Sequence, residues 1–141
     1  MTPSEHHRDI EGLLAARRIE EARTAAERGL LAYPTDERIA ALMGMALWRL
    51  GDAERAEGYF RRAVTLRPKF WEAGAMLVRC LVGRGAYDDA YDLVSELLHD
   101  ANPNSAELQR LEREIRPHYR GRLQAYEKSS FMNVRDKYDN R

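Results

Sequence analysis

The sequence predicts an all-α fold built from antiparallel helix pairs that stack side by side. Apolar residues recur at steps of three and four, as on the buried face of a helix. In residues 37–70 they form two groups: Ile39, Leu42, Met43, Leu47 and Leu50, and then Ala56, Tyr59, Phe60, Ala63, Val64 and Leu66. Gly51-Asp52 separates the groups, and Pro68 prevents the second helix from continuing. Because a lone helix pair leaves one flank uncovered, further copies should pack against it.

The chain repeats itself at a period of 34 residues, which is one of the periods typical of helical-repeat proteins. A shift of that length aligns several sets of residues: Leu13, Leu47 and Leu81; Ala22, Ala56 and Ala90; Leu30, Val64 and Leu98; Gly51 and Gly85; Pro34 and Pro68. The period divides the sequence into repeats at about 3–36, 37–70 and 71–104. We expect each repeat to form one helix pair.

The central repeat matches the residue pattern of a known helical repeat at Met43-Gly44, Leu47, Gly51-Asp52, Ala56, Phe60, Ala63-Val64 and Pro68. In these positions the chain resembles the tetratricopeptide repeat (TPR) family. The resemblance implies a right-handed superhelical array of three helix pairs, a TPR-like α-solenoid, with a C-terminal capping helix. The outer repeats depart from the pattern, because Arg17 stands in the column of Gly51, and Val78 and Leu97 occupy columns that are usually small. The spacing of the outer helix pairs is therefore left open.

The first repeat begins with a helix-start signal, in which Thr2 is the cap, Pro3 lies in the first turn and Glu5 reaches back. The helix that follows has few apolar residues, so its first turn, with His6 and His7, is expected to be solvated. The second helix is predicted over residues 19–32, and residues 33–36 form the turn into the central repeat.

The third repeat is predicted as helices over residues 71–84 and 86–100, separated by a glycine-containing turn. A capping helix over residues 105–128 follows, with Asn104 as its cap and Glu107 three residues later. Its apolar stripe continues past Pro117, which is expected to kink the helix rather than end it. The TPR domain is thus predicted to span 1–128, and residues 129–141 are predicted to form a flexible basic tail.

Composition and charge exclude several classes of function. The 23 basic residues balance the 23 acidic ones, so no overall field favours nucleic acid or an anionic membrane. No apolar run approaches the ~20 residues that a membrane-spanning helix needs. With one cysteine the chain cannot form an intrachain disulfide, and its first residues are polar and lack a hydrophobic export core. We expect a cytoplasmic protein that binds no nucleic acid and does not insert into a membrane.

The sequence contains no recognisable catalytic, cofactor or metal site. Adjacent helical residues point about 100° apart, so His6 and His7 are poorly placed to share an ion, and no second cluster supplies further ligands. Cys80 lies one helical turn from Met76 and is expected to be a buried packing residue. Phosphate-binding glycine loops and nucleophile-elbow motifs are missing from the sequence. We therefore predict a non-catalytic protein.

The resemblance places a ligand groove on the first helices of successive repeats, where family members bind peptides. The candidate binding residues on that side are Arg38, Ala41, Met45, Trp48, Arg49, Ala75, Arg79, Val82 and Arg113. Together they describe an apolar floor with basic edges, which suits a peptide that is apolar with some acidic residues. An alternative is that Met45 and Trp48 simply pack between neighbouring helices.

Some family members hold a peptide's terminal carboxylates with a clamp of Lys, Asn and Arg. The corresponding columns here contain His7, Glu11, Leu42, Glu72 and Met76, so that specificity should be absent. The resemblance therefore predicts a protein–protein interaction module of the adaptor or chaperone kind, with a specificity of its own.

A second class of function remains open, in which the chain is a scaffold subunit of a larger assembly or a homo-oligomer. Contacts would then involve the convex face or the C-terminal segment, where Phe131, Met132, Val134 and Tyr138 have no obvious core to enter. The two classes differ in which change abolishes binding: a groove substitution such as Met45→Glu, or deletion of 129–141.

Overall fold

The computed structural model describes residues 1–121 of the chain. That part is all-α and contains no strand. Its helices are α1 (Pro3–Ala15), α2 (Ile19–Ala32), α3 (Glu37–Arg49), α4 (Ala53–Leu66), α5 (Trp71–Gly83), α6 (Tyr87–Asp100) and α7 (Ala106–Ile115), followed by a short 3-10 helix (Arg116–His118). No helix within it is both long and apolar enough to cross a membrane.

The helix limits recur every 34 residues. The first helices of the three pairs begin at Pro3, Glu37 and Trp71, and the second helices end at Ala32, Leu66 and Asp100. Each helix packs against the next, and α1 also contacts α3 while α5 contacts α7. One cluster of buried apolar side chains runs through all seven helices. The chain is therefore a helical-repeat solenoid in which each pair supports its neighbour.

At one contact between paired helices, no two large residues face each other, and the large residue changes sides between the first and third pairs. In the first pair the buried His6 lies over Gly29, which has no side chain. In the second pair the equivalent residues are Ala40 and Ala63. In the third they are Gly74 and Leu97, and a Cβ on Gly74 would lie 2.6 Å from Leu97 Cδ1.

This contact accounts for one departure of the third repeat from the family pattern, because Leu97 in its usually small column lies over Gly74. One turn further along, Gly44 lies against Phe60 in the central pair, and two residues of intermediate size, Val78 and Val94, are buried at the equivalent positions of the third. Val78 in its usually small column is thus accommodated by a smaller residue on the partner helix.

The turn inside each pair places one residue in the left-handed backbone region. These residues are Arg17, Gly51 and Gly85, with φ of 61°, 85° and 78°. In each turn the N–H of this residue and the N–H of the next one donate to carbonyls near the end of the first helix, for example Gly51 to Trp48 and Asp52 to Leu47. This is the Schellman arrangement, in which glycine is preferred because a Cβ is strained at positive φ. Arg17 adopts it at a cost.

The capping segment differs from the prediction. The side chain of Ser105, rather than Asn104, accepts from Leu108 N at the start of α7. The prediction that Pro117 kinks a continuing helix is wrong, because α7 ends at Ile115 and the backbone of Tyr119 is extended. The remainder of the predicted capping helix, from residue 122 to 128, and the tail at 129–141 lie outside the described residues.

Residues 118–121 pack back onto the start of α6 instead of extending α7. His118 stacks on Tyr87, and the rings of Tyr119 and Tyr91 are 4.5 Å apart. Arg120 N donates to the carboxylate of Asp88 at 3.0 Å. Within residues 1–121, the side-chain stripe that predicted one long helix therefore belongs to a helix and a docked turn that contact different neighbours.

Replacing Arg17 by glycine should stabilise the fold by about 0.5–1 kcal/mol, because it removes the strain of a Cβ at φ 61°. The melting temperature should rise by roughly 2–5 °C in a thermal unfolding experiment. Arg17→Ala retains the Cβ and is the matched control. An equal gain from alanine would show that the arginine side chain, and not the backbone conformation, is responsible.

The Gly74–Leu97 contact predicts that two substitutions compensate each other. Gly74→Ala alone should cost about 1–2 kcal/mol because the added methyl meets Leu97. Leu97→Ala alone should cost about 2–4 kcal/mol. The double variant recreates the alanine pair of the central repeat, so urea unfolding should give a loss about 1 kcal/mol or more below the sum of the single losses. Strict additivity would contradict the account of the contact.

Candidate functional site

Two cavities open on the side of the array formed by the first helices. The first cavity, of about 540 Å³, is lined from α1, α3, α5 and α7 and from the turn before α5. The second cavity, of about 610 Å³, is lined mainly from the ends of α3 and α5 and from α7. Both volumes lie in the range of ordinary ligand sites.

The floor of the first cavity is apolar. Leu42, Met45 and Met76 are half-buried there, and Phe70 from the preceding turn lies beside them. Leu42 and Met45 come from adjacent turns of α3, and Met76 projects from α5 toward the same space. Long unbranched methionine side chains can adjust to different apolar partners. The floor can therefore accept apolar side chains of more than one shape.

The charged groups around the first cavity are largely paired with one another. Glu11 accepts from Arg38, whose Nε lies 2.8 Å from Glu11 Oε1. Arg67 lies over the ring of Phe70, 5.3 Å from its centroid. Glu72 is exposed at the start of α5 and forms no ion pair with any residue in 1–121. Arg38 is thus neutralised at this edge, while Arg67 and Glu72 have no ion-pair partner within residues 1–121.

An ion pair stands between the two cavities. Arg79 lines the second cavity and Glu107 lines the first, and Arg79 Nη2 donates to Glu107 Oε1 at 2.6 Å. Both side chains are partly exposed. The Arg79 Nε atom is buried, and no residue in the described part of the chain accepts a hydrogen bond from it. Such an orphaned donor is uncommon in folded proteins.

The structure brings six of the nine candidate residues to these cavities. Arg38, Ala41 and Met45 line the first, and Trp48, Arg79 and Val82 line the second. Met45 and Trp48 also pack against the core, so the alternatives of groove exposure and interhelical packing are both partly realised.

The other three candidates lie elsewhere. Arg49 Nη1 donates to the carbonyl of Leu14 at the end of α1, and Ala75 is buried in the core. Arg113 is exposed on α7 and lines neither cavity.

Sequence reasoning missed Phe70 and Arg67 in the first cavity and Tyr87 and His118 in the second. All four lie in a turn or at a helix end, where the helical period gives no information about direction. The one signal in the sequence for Phe70 was its own position, as an aromatic residue directly before the N-terminus of α5.

The columns that hold a carboxylate clamp in some family members contribute to the first cavity. Glu11, Leu42, Glu72 and Met76 line it, and none of them can donate a hydrogen bond to a carboxylate. His7 Nε2 instead bonds the carboxylate of Asp36, which also accepts from Ile39 N as the cap of α3. The groups that would hold a peptide's terminal carboxylates are therefore missing from these columns.

The prediction that the first turn of α1 is solvated is wrong. His6 is 8% exposed and meets the ring of Tyr33 edge-on, with 5.7 Å between ring centroids. His7 joins α1 to the start of α3 through Asp36. Both histidines therefore attach the first helix to the array. Within residues 1–121 no group of three or more His, Cys, Asp or Glu side chains could hold a metal ion.

Cys80 is a buried packing residue, as its position predicted. Burial, with a contribution from the carboxylate of Glu57, raises the pKa of its thiol to about 11. The thiol is therefore protonated near neutral pH and is a poor nucleophile.

A stack of helix pairs with ligand-sized cavities on its first helices defines a helical-repeat protein of the protein-interaction class. Two sequence models, both described as tetratricopeptide repeat, match residues 11–69 and 47–115, so they cover most of the part described by the structure. The chain belongs to the tetratricopeptide repeat family.

The curated relatives that match part of the chain include the human and mouse protein arginine N-methyltransferase 9. Each is 41% identical to this chain over 63 residues, which is 45% of the chain. The chain spans only 8% of the human protein and 7% of the mouse protein. The likeness therefore concerns a short stretch of a much longer enzyme.

Solved structures with the same fold include two domains captured with peptides. The first TPR of Spaghetti (RPAP3), bound to the HSP90 peptide SRMEEVD, has a TM-score of 0.76 at 18% identity and covers 82% of this chain and 90% of its own. The second TPR domain of human RPAP3, in complex with the HSP70 peptide SGPTIEEVD, has a TM-score of 0.72 at 19% identity, covering 82% and 98%. The Yersinia enterocolitica type III secretion translocator chaperone SycD scores 0.72 at 12% identity, covering 82% and 81%. At these identities the likeness shows the fold.

Glu57 on α4 should make stability depend on pH. Its carboxylate accepts from Arg84 Nε at 2.8 Å and also from Arg61, and these bonds lower the pKa of Glu57 below its ordinary value of 4.5. The ionised form therefore stabilises the fold above that value, and this contribution is lost as the pH falls through the folded-state pKa.

Glu57→Gln should cost about 0.5–1 kcal/mol at pH 7, because the pair is partly exposed. Urea unfolding at pH 7 and pH 3 should show the difference from the unsubstituted chain shrinking at the lower pH. Glu54→Gln, one turn away and without an ion pair in residues 1–121, controls for loss of charge on α4. A cost that is equal at both pH values would contradict the assignment.

Proposed function

We propose that the chain is a non-catalytic interaction module that binds a peptide or partner segment in the groove formed by its first helices. The observation that carries the proposal is the pair of neighbouring cavities, with a largely apolar floor that the side chains of residues 1–121 leave unfilled. Membership of a repeat family whose solved neighbours include peptide complexes supports it.

The ligand is a segment with apolar side chains and an acidic residue. The apolar side chains enter the first cavity, where Leu42, Met45 and Phe70 offer contact without competing hydrogen bonds. The acidic residue belongs at the second cavity, whose lining includes the guanidinium groups of Arg79 and Arg110 against the single carboxylate of Glu114. Such a division suits an extended peptide that crosses both cavities.

Recognition does not depend on the terminal carboxylates of the ligand. Glu11, which is paired with Arg38, and Glu72 occupy clamp columns at the first cavity and offer no donor to a terminal carboxylate. An internal segment of a partner is therefore as good a ligand as a free C-terminus. This distinguishes the proposed specificity from that of a carboxylate-clamp domain.

The alternative function is a scaffold subunit or homo-oligomer that contacts partners through the convex face. Exposed leucines on the second helices favour it, since Leu31 on α2 is 84% exposed and Leu66 on α4 is 40% exposed. Scattered exposed leucines are also common on monomeric proteins, so the groove is the stronger candidate.

A peptide array tests the proposed groove. The probes are capped nine-residue peptides with Leu, Met, Phe and Val varied around a central Glu, Gln or Lys. Met45→Glu should weaken the tightest of them at least tenfold in fluorescence polarisation, because it places a charge on the apolar floor. Leu31→Glu on the convex face is the matched control and should change affinity less than twofold.

The same assay tests the absence of a clamp. SRMEEVD should bind no more than threefold tighter than the same peptide with an amidated C-terminus. A loss of binding in Leu31→Glu but not in Met45→Glu would move the interface to the convex face. Failure of every array peptide to bind would remove the proposal for the groove.

A further inference from the structure

The Arg79–Glu107 ion pair leaves one buried donor of its arginine without an acceptor in the described chain. In the pairs of Arg38 with Glu11 and of Arg84 with Glu57, both Nε and Nη2 donate to the carboxylate. Arg79 donates to Glu107 through Nη2 alone. Its Nε is buried and has no acceptor within residues 1–121. The pair therefore leaves half of the guanidinium fork unused.

An arginine with one unused buried donor does not have its most favourable hydrogen-bonding geometry. The side-on contact, in which two parallel N–H groups meet both oxygens of a carboxylate, is the stronger and more specific geometry. A buried donor without a partner also carries an uncompensated desolvation cost. Arg79 would therefore gain from a carboxylate that could approach Nε and Nη2 together, which Glu107 does not do from its position on α7.

Because of where the Arg79–Glu107 pair lies, replacing Glu107 as the partner of Arg79 would change the shape of the groove. Glu107 lines the first cavity and Arg79 the second, so their bond crosses the passage between the two. Arg79 is 40% exposed and Glu107 34% exposed, so both side chains reach solvent and can separate without unfolding a helix. A ligand that separates them joins the cavities into one continuous groove.

We propose that an acidic side chain of the bound peptide replaces Glu107 as the partner of Arg79 and takes its Nε and Nη2 side-on. The displaced Glu107 turns toward solvent, and the peptide runs across both cavities with its apolar side chains in the first. Arg79 is then the residue that selects the acidic position of the ligand. The inference rests on the proposed function and adds the position and the means of charge recognition.

The surrounding charges restrict where the acidic residue can lie. Arg110 lines the second cavity together with Arg79, where Glu114 is the single carboxylate, and supports the acidic residue there. One acidic residue flanked by apolar residues on the first-cavity side is the ligand pattern that fits. A glutamine in its place cannot offer two anionic oxygens to the arginine fork.

The test compares two glutamates that line the same cavity. Glu107→Gln removes the internal competitor for Arg79, so the affinity for array peptides with a central Glu should rise about threefold to tenfold, while peptides with a central Gln change less than twofold. Glu72→Gln removes a carboxylate that has no ion pair in the described chain, and it measures the general effect of reduced repulsion. It should raise the affinity for the Glu peptides less than twofold.

A second variant tests the arginine fork directly. Arg79→Lys retains the positive charge but cannot make the side-on contact, so the preference for central Glu over central Gln should fall at least fivefold. Thermal unfolding of each variant checks that the fold is retained. If Arg79→Lys unfolds, the comparison of Glu107→Gln with Glu72→Gln still tests the inference.

Three results would overturn the inference. One is an equal gain from Glu72→Gln and Glu107→Gln, which would mean that only repulsion was relieved. Another is an undiminished preference for Glu in a folded Arg79→Lys. The third is that the unsubstituted chain binds the array peptides with no preference for Glu over Gln, and that Met45→Glu abolishes this binding. The groove would then be supported as the binding site, and the proposed role of Arg79 would be wrong. If no array peptide binds, the proposed function fails as well.

Discussion

The whole array depends on the distance between the two helices of each pair. His6 lies over Gly29, Ala40 lies opposite Ala63, and Gly74 lies beneath Leu97, so no two large residues face each other at this contact. Because interiors are close-packed, a second large residue at any of these contacts would push the helices apart. The helix limits recur every 34 residues, and one core runs through all seven helices.

The groove is a consequence of the same packing. The first helices contact their counterparts in neighbouring repeats: α1 contacts α3, and α5 contacts α7. Their inward faces meet no further element of the described chain. Side chains such as Met45 and Met76 therefore pack against the core on one side and line a cavity on the other. Paired charges at the edge keep this surface close to neutral, and Arg79 remains incompletely satisfied. A shared scaffold can thus carry a specificity that differs from that of its structural relatives.

The outer end of the array shows how neighbours override local pattern. The apolar stripe from Leu108 through Tyr119 has the period of one helix, yet α7 ends at Ile115. Pro117 cannot continue regular helical hydrogen bonding, and the residues after it gain more from stacking on Tyr87 and Tyr91 of α6. Within residues 1–121 the cap is therefore a short helix and a docked turn, and His118 from that turn also lines the second cavity.

The sequence alone determined the helices and their pairing, because stripes of period 3.6 and breaks at glycine and proline are local signals. The resemblance to the family placed the groove on the first helices, and Arg38, Met45, Trp48 and Val82 from that prediction line the two cavities. Only the tertiary structure decided which charges meet, which side chains are buried and where α7 stops. Glu107 lies 28 residues from Arg79, and the exact rotation of each helix decides whether Ala75 faces the core and whether Arg49 reaches Leu14. Those outcomes depend on neighbouring helices that are distant in the sequence, so no local period contains them.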